Sequence, residues 1–321
     1  MIKSEILLEI KNLSVEYKTD LGKKIALSDF TLNLMKGEVL GLLGESGAGK
    51  SSVGMAILHL IEPPNVLKGE IIFNGQQILS LKGFKLLNYR WKSVSMIFQA
   101  AMNILDPVLK IKDSFSQILL DKRVFTKKKE AEDYSLKLLR MVGLPDTVMR
   151  MRPFELSGGM KQRVVIAMAI STNPSIVIAD EITTALDVIT QFNILTMLQN
   201  LKKERKIGSL ILISHDLSVQ LMMSDRIIVM YKGNSIEEGT TNEVFYEPLH
   251  PYTQTLIKSR SAVDHPSRKD PMIFANRIEQ EHCSFVELCQ FAKDLCFQRS
   301  PEFIKKSETH KVRCFLYEGV D

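Results

Sequence analysis

Hydrophobic positions along the chain mark short strands that end in glycines or polar residues. Residues 5–17 alternate between apolar and polar side chains, which predicts a strand that ends at a turn at 20–22. An apolar run at 38–43 leads into a glycine-rich loop, and a helical pattern follows at 50–60. A strand, a glycine loop and a helix in this order are typical of an α/β fold.

Two later apolar runs follow the same logic. Residues 175–179 and 209–213 are short and almost wholly apolar, which predicts strands buried on both faces of a parallel sheet. The first run is followed by Asp180 and Glu181, and His215 comes shortly after the second. Because ligands bind at the carboxyl ends of parallel strands, we expect these polar residues to carry chemistry.

A helical pattern separates the glycine loop from these later strands. Residues 99–157 have helical periodicity, and 130–141 is its clearest helix, which Gly143 ends. We interpret residues from about 101 to 164 as an inserted helical subdomain.

The character of the chain changes after about Lys258. Pro266 and Pro271, with charged neighbours, indicate a linker. We therefore predict a main domain at 1–258 and a small C-terminal extension at 259–321.

Composition changes this picture little. Apolar residues make up 45% of the 321 residues and charged residues 25%, and the net charge is +5, all ordinary for a globular protein. No basic stripe with interleaved aromatics is present, so we expect no nucleic-acid partner. No apolar run reaches the roughly 18 residues that span a bilayer, and the start of the chain lacks a signal-peptide core. We expect a cytoplasmic chain that reaches a membrane only through a partner.

Eight consecutive residues match G-x-x-x-x-G-K-[ST], the pattern of a phosphate-binding loop. They are Gly44, Glu45, Ser46, Gly47, Ala48, Gly49, Lys50 and Ser51, and Ser52 follows them. Glycines let backbone N–H groups curl around phosphate oxygens, and the next helix directs its positive N-terminus at the same anion. In such a loop the lysine reaches the β- and γ-phosphates and the serine binds Mg²⁺. We expect all nine residues to bind ATP and Mg²⁺; a plain glycine turn does not explain Lys50 and Ser51.

An acidic pair follows the apolar run at 175–179. An aspartate at such a strand end completes the shell of a bound Mg²⁺, and a neighbouring glutamate orients the attacking water. We therefore expect Asp180 to bind Mg²⁺ and Glu181 to polarise water. This pair is weak evidence by itself, but together with the phosphate loop it indicates ATP hydrolysis.

A segment at 156–163 reads LSGGMKQR in one-letter code and offers a second phosphate-binding surface. Ser157 is placed to cap a helix, and Gly158 and Gly159 expose backbone donors at its positive end. Here the chain resembles the ATP-binding-cassette (ABC) family, whose signature is similar to LSGGQ. The resemblance implies a head-to-tail dimer in which one signature closes on the γ-phosphate held by the other subunit. It also implies a RecA-like P-loop core with an antiparallel β-subdomain.

Four further residues match positions of the ABC family. The resemblance implies that Tyr17 stacks on adenine, that Gln99 senses Mg²⁺ and the membrane partner, and that Asp187 crosses to the other subunit. It also implies that His215 contacts the γ-phosphate. Tyr17 fits an ordinary strand aromatic as well.

The chain is more similar to the dipeptide and oligopeptide importer branch of that family. The similar runs are 44–47, 96–99, 166–169, 178–181, 183–188 and 250–253. The resemblance implies a heterodimer with a second ATPase subunit, two membrane permease subunits, an extracytoplasmic substrate-binding protein and a place on the cytoplasmic face of the membrane. Three departures are Ala100, Phe154 and Ile182, where the branch has an aspartate, a histidine and a proline. None of the three removes a charge or a hydroxyl from the expected chemistry. We expect Ile182, in place of a proline, to alter the backbone conformation just after Glu181.

All four cysteines, Cys283, Cys289, Cys296 and Cys314, lie near the end of the chain. Four soft thiolates in a short segment indicate a metal or a cluster, although their spacing is looser than in usual zinc sites and differs from the ferredoxin run. The peptide-importer branch carries such an extension, which implies a [4Fe–4S] cluster; zinc and free thiols remain open. The run at 285–288 departs from the proline and arginine of that branch.

Rival functions share some of these features. The first alternative is the same motor importing oligosaccharides or nickel, because some members of the branch carry such cargo and the ATPase sequence does not touch it. A soluble cassette acting on ribosomes or in DNA repair would carry two cassettes or a long coiled-coil insertion, and the sequence has neither. Lys50, Glu181 and His215 argue against a degenerate cassette. We expect the ATP-hydrolysing motor of an ABC importer for dipeptides or oligopeptides.

Overall fold

The structure is a computed structural model that describes residues 5–20, 22–99, 104–184, 186–261 and 282–319. The described residues form two compact units. The first unit comprises Glu5, Met35–Val39 and Ser80–Ile213, and the second comprises Ile6–Leu34, Leu40–Leu79 and the residues from Ser214 onward. The predicted linker with Pro266 and Pro271 lies outside the described residues, as does Ala100.

The strands and helices are named in chain order. The strands are β1 (Ile6–Thr19), β2 (Gly22–Met35), β3 (Val39–Leu43), β4 (Val66–Phe73), β5 (Gln76–Gln77), β6 (Val94–Ile97), β7 (Ile176–Asp180), β8 (Ser209–Ser214), β9 (Arg226–Tyr231), β10 (Asn234–Thr240), β11 (Ile304–Lys305) and β12 (Lys311–Val312). The helices are α1 (Lys50–Ile57), α2 (Gly83–Lys92), α3 (Ile111–Asp121), α4 (Lys128–Met141), α5 (Gly158–Ile170), α6 (Val188–Lys203), α7 (Leu217–Met223), α8 (Thr241–Tyr246), α9 (Pro251–Ser261) and α10 (Asp294–Gln298). In the part of the chain that is described, no helix has the length and apolarity needed to cross a membrane.

The first unit contains the parallel strands that the apolar runs predict. β6 pairs in parallel with β7, and β7 pairs in parallel with β8. Every residue of β7 and of β8 is buried, which explains why these strands are almost continuously apolar. The predicted helix at 130–141 is α4, and Gly143 follows it with φ +71°, its N–H donating to the carbonyl of Arg140 at 3.0 Å. α5 continues to Ile170, past the predicted subdomain end at 164.

The second unit contains two sheets. One has the order β2-β1-β4-β5, with antiparallel pairing of β1 with β4 and of β4 with β5. The other runs β11-β12-β10-β9-β3, in which β3 and β9 are parallel and the remaining pairs are antiparallel. The predicted strand at 5–17 is β1, and the predicted helix at 50–60 is α1, which ends three residues earlier, at Ile57. The second unit therefore includes an antiparallel β-sheet, as expected.

A buried glutamate fastens the C-terminal segment to β10. Glu237 is fully buried, and its carboxylate accepts the backbone N–H groups of Leu249 at 2.9 Å and His250 at 2.8 Å. Its Oε1 also lies 2.8 Å from Nε2 of the buried His310. One carboxylate thus satisfies three polar groups from two segments that are distant in sequence.

Replacing Glu237 with alanine should lower the free energy of unfolding by about 3 kcal/mol, because three donors lose their buried acceptor. Urea denaturation of the full chain measures this difference. Glu308→Ala is the control, since Glu308 is exposed in the same C-terminal segment. Equal stability of the Glu237→Ala chain and the control would contradict the role given to Glu237.

Candidate functional site

The phosphate loop connects β3 to α1, and two of its glycines are required by packing. Gly44 has φ +156° and Gly49 has φ +99°. A Cβ atom at Gly44 would lie 2.3 Å from the carbonyl oxygen of Met230, and one at Gly49 would lie 2.3 Å from that of Ala26. Both distances are shorter than atoms tolerate, so only glycine fits at these two positions. The loop is thereby held against β9 and β2.

Lys50 opens α1 and is turned back into the loop. Its side chain is buried, and the Nζ ammonium donates to the carbonyl oxygens of Gly44 at 2.7 Å and Glu45 at 2.8 Å. The charge is therefore held beside the loop backbone, where a phosphate group would supply stronger, charged acceptors. Binding of the β- and γ-phosphates by Lys50 stays a prediction.

Tyr17 reaches the start of the same helix. Its hydroxyl lies 3.3 Å from the hydroxyl of Ser52, and the Tyr17 side chain is half-buried. Ser51 is exposed beside Lys50. The second unit thus brings the strand tyrosine to the phosphate loop; stacking of Tyr17 on adenine stays a prediction.

His215 lies on the exposed turn between β8 and α7. Its neighbour Asp216 caps α7 by accepting the N–H of Ser218 at 2.7 Å. Gln220, fully buried in α7, donates through Nε2 to the carbonyl oxygens of Leu42 at 3.1 Å and Ser214 at 3.4 Å. One amide therefore fixes the residues just before His215 and just before the phosphate loop. No local pattern marks Gln220 in the sequence, because its partner Leu42 is 178 positions away.

The acidic pair lies in the first unit, at the end of β7. Asp180 is buried, and Glu181 follows with φ +47°, a left-handed backbone that is uncommon for a residue with a side chain. The N–H of Glu181 donates to the carbonyl of Ile213 at 2.9 Å, and its Oε2 accepts from the hydroxyl of Thr184 at 3.2 Å. Ile182 is buried. Backbone strain of this kind concentrates at functional sites.

Two capped helices meet beside the signature segment. Ser157 caps α5 by accepting the N–H of Met160 at 3.3 Å, as predicted. Asp187 caps α6 by accepting the N–H and hydroxyl of Thr190 at 2.9 and 2.6 Å. The hydrogen bond from the Thr190 hydroxyl has the largest effect on the pKa of Asp187. Together with the bond from the Thr190 N–H, it holds that pKa below its usual range. A Cβ atom at Gly159 would lie 2.8 Å from the methyl group of Thr190, so the glycine allows the two helix starts to approach.

Gln99 is the remaining predicted residue of the first unit. It lies two residues beyond the end of β6, and its side chain is exposed. Gly158 and Asp187 are exposed as well. The first unit therefore carries Gln99, Asp180, Glu181, the signature and Asp187, whereas the second carries Tyr17, the phosphate loop and His215.

The four cysteines line one pocket of the second unit. Its lining includes Cys283, Cys289, Cys296 and Cys314 with apolar neighbours such as Phe285, and the pocket is partly open to solvent. Cys296 lies on α10, and its carbonyl accepts the N–H of Cys283 at 3.0 Å. The fold thus places four cysteines that lie apart in the sequence around the same pocket.

Burial makes Cys283, Cys289 and Cys314 hold their thiol protons more tightly. Burial raises the pKa of Cys314 to about 11 and also raises the pKa values of Cys283 and Cys289. Within the described residues, no three His, Cys, Asp or Glu side chains are grouped so that they could hold a metal ion. Phe285 and Val286, two residues of the run that departs from the importer branch, are buried and line part of the pocket.

Known proteins are similar to the chain over nearly its whole length. Residues 27–184 match the family model described as ABC transporter, and residues 236–296 match the one described as oligopeptide/dipeptide transporter, C-terminal region. The oligopeptide transport ATP-binding protein OppD of Bacillus subtilis (strain 168) is 38% identical over 98% of this chain and 90% of its own length. The dipeptide transport ATP-binding protein DppD of Caldanaerobacter subterraneus subsp. tengcongensis is 35% identical, over 98% of each chain.

Solved structures agree with these sequence matches. The ATP-binding cassette MJ0796, as a dimer in a post-hydrolysis state bound to ADP and Pi, is 30% identical with a TM-score of 0.65, over 73% of this chain and 99% of that chain. The protein cbiO1 of Clostridium perfringens, part of the ABC transporter complex cbiONQ, is 25% identical with a TM-score of 0.64, over 80% of this chain and 94% of that chain.

Proposed function

The chain belongs to the ABC transporter family of ATPases, and from this premise we propose that it is the ATP-hydrolysing motor of an importer for dipeptides or oligopeptides. The observation that carries this proposal is the buried ammonium of Lys50, held by carbonyl oxygens of a glycine-rich loop at the start of a helix. That arrangement presents a cation and a helix N-terminus to the same anion. The names of the relatives, together with the matched C-terminal region, favour peptides as cargo.

We further propose how the site residues divide the work. Residues 44–52 hold the phosphates, and Tyr17 stacks on adenine. Ser51, Gln99 and Asp180 hold Mg²⁺, which neutralises charge on the β- and γ-phosphates when bound. Glu181 accepts a proton from the attacking water, and His215 contacts the γ-phosphate. The buried position of Asp180 and the constrained backbone of Glu181 support these roles.

The signature segment and Asp187 serve the second nucleotide of a dimer in this proposal. Ser157, Gly158 and Gly159 present backbone donors at the start of α5, and the exposure of Gly158 supports this role. The partners are a second ATPase subunit, two permease subunits and a substrate-binding protein. The chain then acts at the cytoplasmic face of the membrane as a peripheral subunit.

The cysteine pocket has the donor set of a [4Fe–4S] cluster, but its thiols would have to lie closer together than they do among the described residues before they could hold one. Four soft thiolates around one pocket are the ligands that such clusters use. Binding iron would remove the thiol protons that burial now retains. Cys283, Cys289, Cys296 and Cys314 would hold the cluster, which would staple a short C-terminal segment. Iron analysis of protein purified without air tests this, and a colourless, iron-free chain would refute it.

The cargo is tested by stimulation of ATP hydrolysis. The chain is assembled with its membrane and ATPase partners in liposomes, and its substrate-binding protein is added with peptides, oligosaccharides or nickel. We expect peptides alone to raise the rate of ATP hydrolysis. Stimulation by oligosaccharides or nickel alone would keep the motor and refute peptide cargo.

A further inference from the structure

A tyrosine from α9 touches the phosphate loop. The hydroxyl of Tyr252 accepts the backbone N–H of Glu45 at 3.2 Å, and Tyr252 is only 3% exposed. Burial raises the pKa of Tyr252 above its usual range, so the phenol keeps its proton at neutral pH. The hydrogen bond fixes the second residue of the phosphate loop from outside the loop.

The ring of Tyr252 is held by aromatic neighbours. Its centroid lies 4.7 Å from that of Tyr231 and 5.6 Å from that of Phe285, which meets Tyr231 edge-on at 5.2 Å. Such tilted and edge-to-face contacts add specific geometry to apolar burial. Because Tyr252 has two aromatic walls, its hydroxyl is directed at Glu45 by packing rather than by chain connectivity.

Phe285 belongs to the cysteine pocket. It lines that pocket together with the four cysteines, and Cys283 and Cys289 pack against the apolar cluster that contains Phe285, Tyr252 and Leu43. Leu43 immediately precedes the phosphate loop. Unbroken contacts therefore run from the cysteines through Phe285 and Tyr252 to the loop backbone, all within the second unit.

We propose that Tyr252 is a positioning residue for the phosphate loop and that it couples ATP binding to the packing of the cysteine pocket. A pocket whose cysteines are held together keeps Phe285 against Tyr252, and Tyr252 keeps the Glu45 N–H in place for phosphate binding. By thermodynamic linkage, ATP bound to the loop must in turn stabilise the pocket in which Phe285 packs against Tyr252 and the cysteines are held together. This inference rests on the proposed binding of ATP by the phosphate loop.

The test compares two tyrosine-to-phenylalanine variants of the full chain. Tyr252→Phe keeps the ring and removes the hydrogen bond to Glu45. Tyr317→Phe is the matched control, because its hydroxyl donates to the carbonyl of Leu249 at 2.9 Å, away from the phosphate loop. Two quantities are measured: the affinity for MgATP by equilibrium binding, and the rate of cysteine alkylation by N-ethylmaleimide with and without MgATP.

We expect Tyr252→Phe to weaken MgATP binding by about three- to tenfold, the worth of one hydrogen bond. MgATP should slow cysteine alkylation in the wild-type chain and in Tyr317→Phe, and this protection should be smaller in Tyr252→Phe at saturating MgATP. Wild-type affinity and protection in Tyr252→Phe, or equal losses in both variants, would overturn the inference alone. A wild-type chain that binds no MgATP would overturn the proposed function as well.

Discussion

Replacing Lys50 with alanine should weaken MgATP binding by about 10- to 100-fold. Lys50 is the only positively charged residue in 44–52, and Glu45 is the only negatively charged one. The Lys50 ammonium is therefore the one charged group of this segment that can attract the β- and γ-phosphates. A hydrogen bond to a charged group is worth roughly 1.5–3 kcal/mol, and each 1.4 kcal/mol is a tenfold change in affinity. Equilibrium binding of MgATP to the full chain measures the loss.

A control separates this loss from unfolding. Lys50 is buried and bonded to two carbonyl oxygens, so its removal also costs stability. The exposed Lys36→Ala variant removes a lysine outside the phosphate loop and should bind MgATP as the wild type does. Thermal melting of both variants shows whether Lys50→Ala is folded at the temperature of the assay. Wild-type affinity in folded Lys50→Ala would remove the loop from the ATP site.

Replacing Glu181 with glutamine should slow ATP hydrolysis by about 10²- to 10⁴-fold, the usual contribution of a general base. Glutamine keeps the size of the side chain and an acceptor for the Thr184 hydroxyl, but it does not accept a proton from water. The affinity for MgATP should therefore change little. Single-turnover hydrolysis and equilibrium binding, measured on one preparation, separate the two effects.

The partner ATPase must be silenced in this experiment. We expect a heterodimer, so hydrolysis is measured with the partner subunit's own site disabled. Thr184→Val is the matched control, because it removes the hydroxyl that donates a hydrogen bond to Glu181 and leaves the Glu181 carboxylate in place. Full hydrolysis by Glu181→Gln in such a complex would refute the role given to Glu181.

The parts of the site that could be predicted are those formed by residues that are close together in the sequence. The phosphate loop is eight consecutive residues, and Ser157 caps a helix through Met160, three residues away. β7 and β8 could be predicted because burial on both faces requires an apolar run. By contrast, β2 was not predicted, although Phe30, Leu32 and Leu34 alternate in it and are buried. That alternation is a signal that could have found this strand.

The parts that could not be predicted depend on contacts between distant residues. Tyr252 and Glu45 are 207 positions apart, and His310 and Glu237 are 73 apart. No local spacing encodes such pairs, because they exist only after the strands and helices have packed. Phe285 shows the same limit. From sequence it is a departure from the importer branch, whereas in the structure it packs Tyr252 against the cysteine pocket.

Peptide uptake driven by this chain tests the central proposal most directly. Liposomes that hold the complete importer, with ATP on the side of the ATPase subunits, are given a radiolabelled oligopeptide and its binding protein on the other side. With the partner subunit's own ATP site disabled, we predict that peptide accumulates inside, that accumulation requires ATP, and that it falls to background when Glu181→Gln replaces the wild-type chain. Accumulation that continues without ATP or with the Glu181→Gln chain would contradict a role for this chain as the motor.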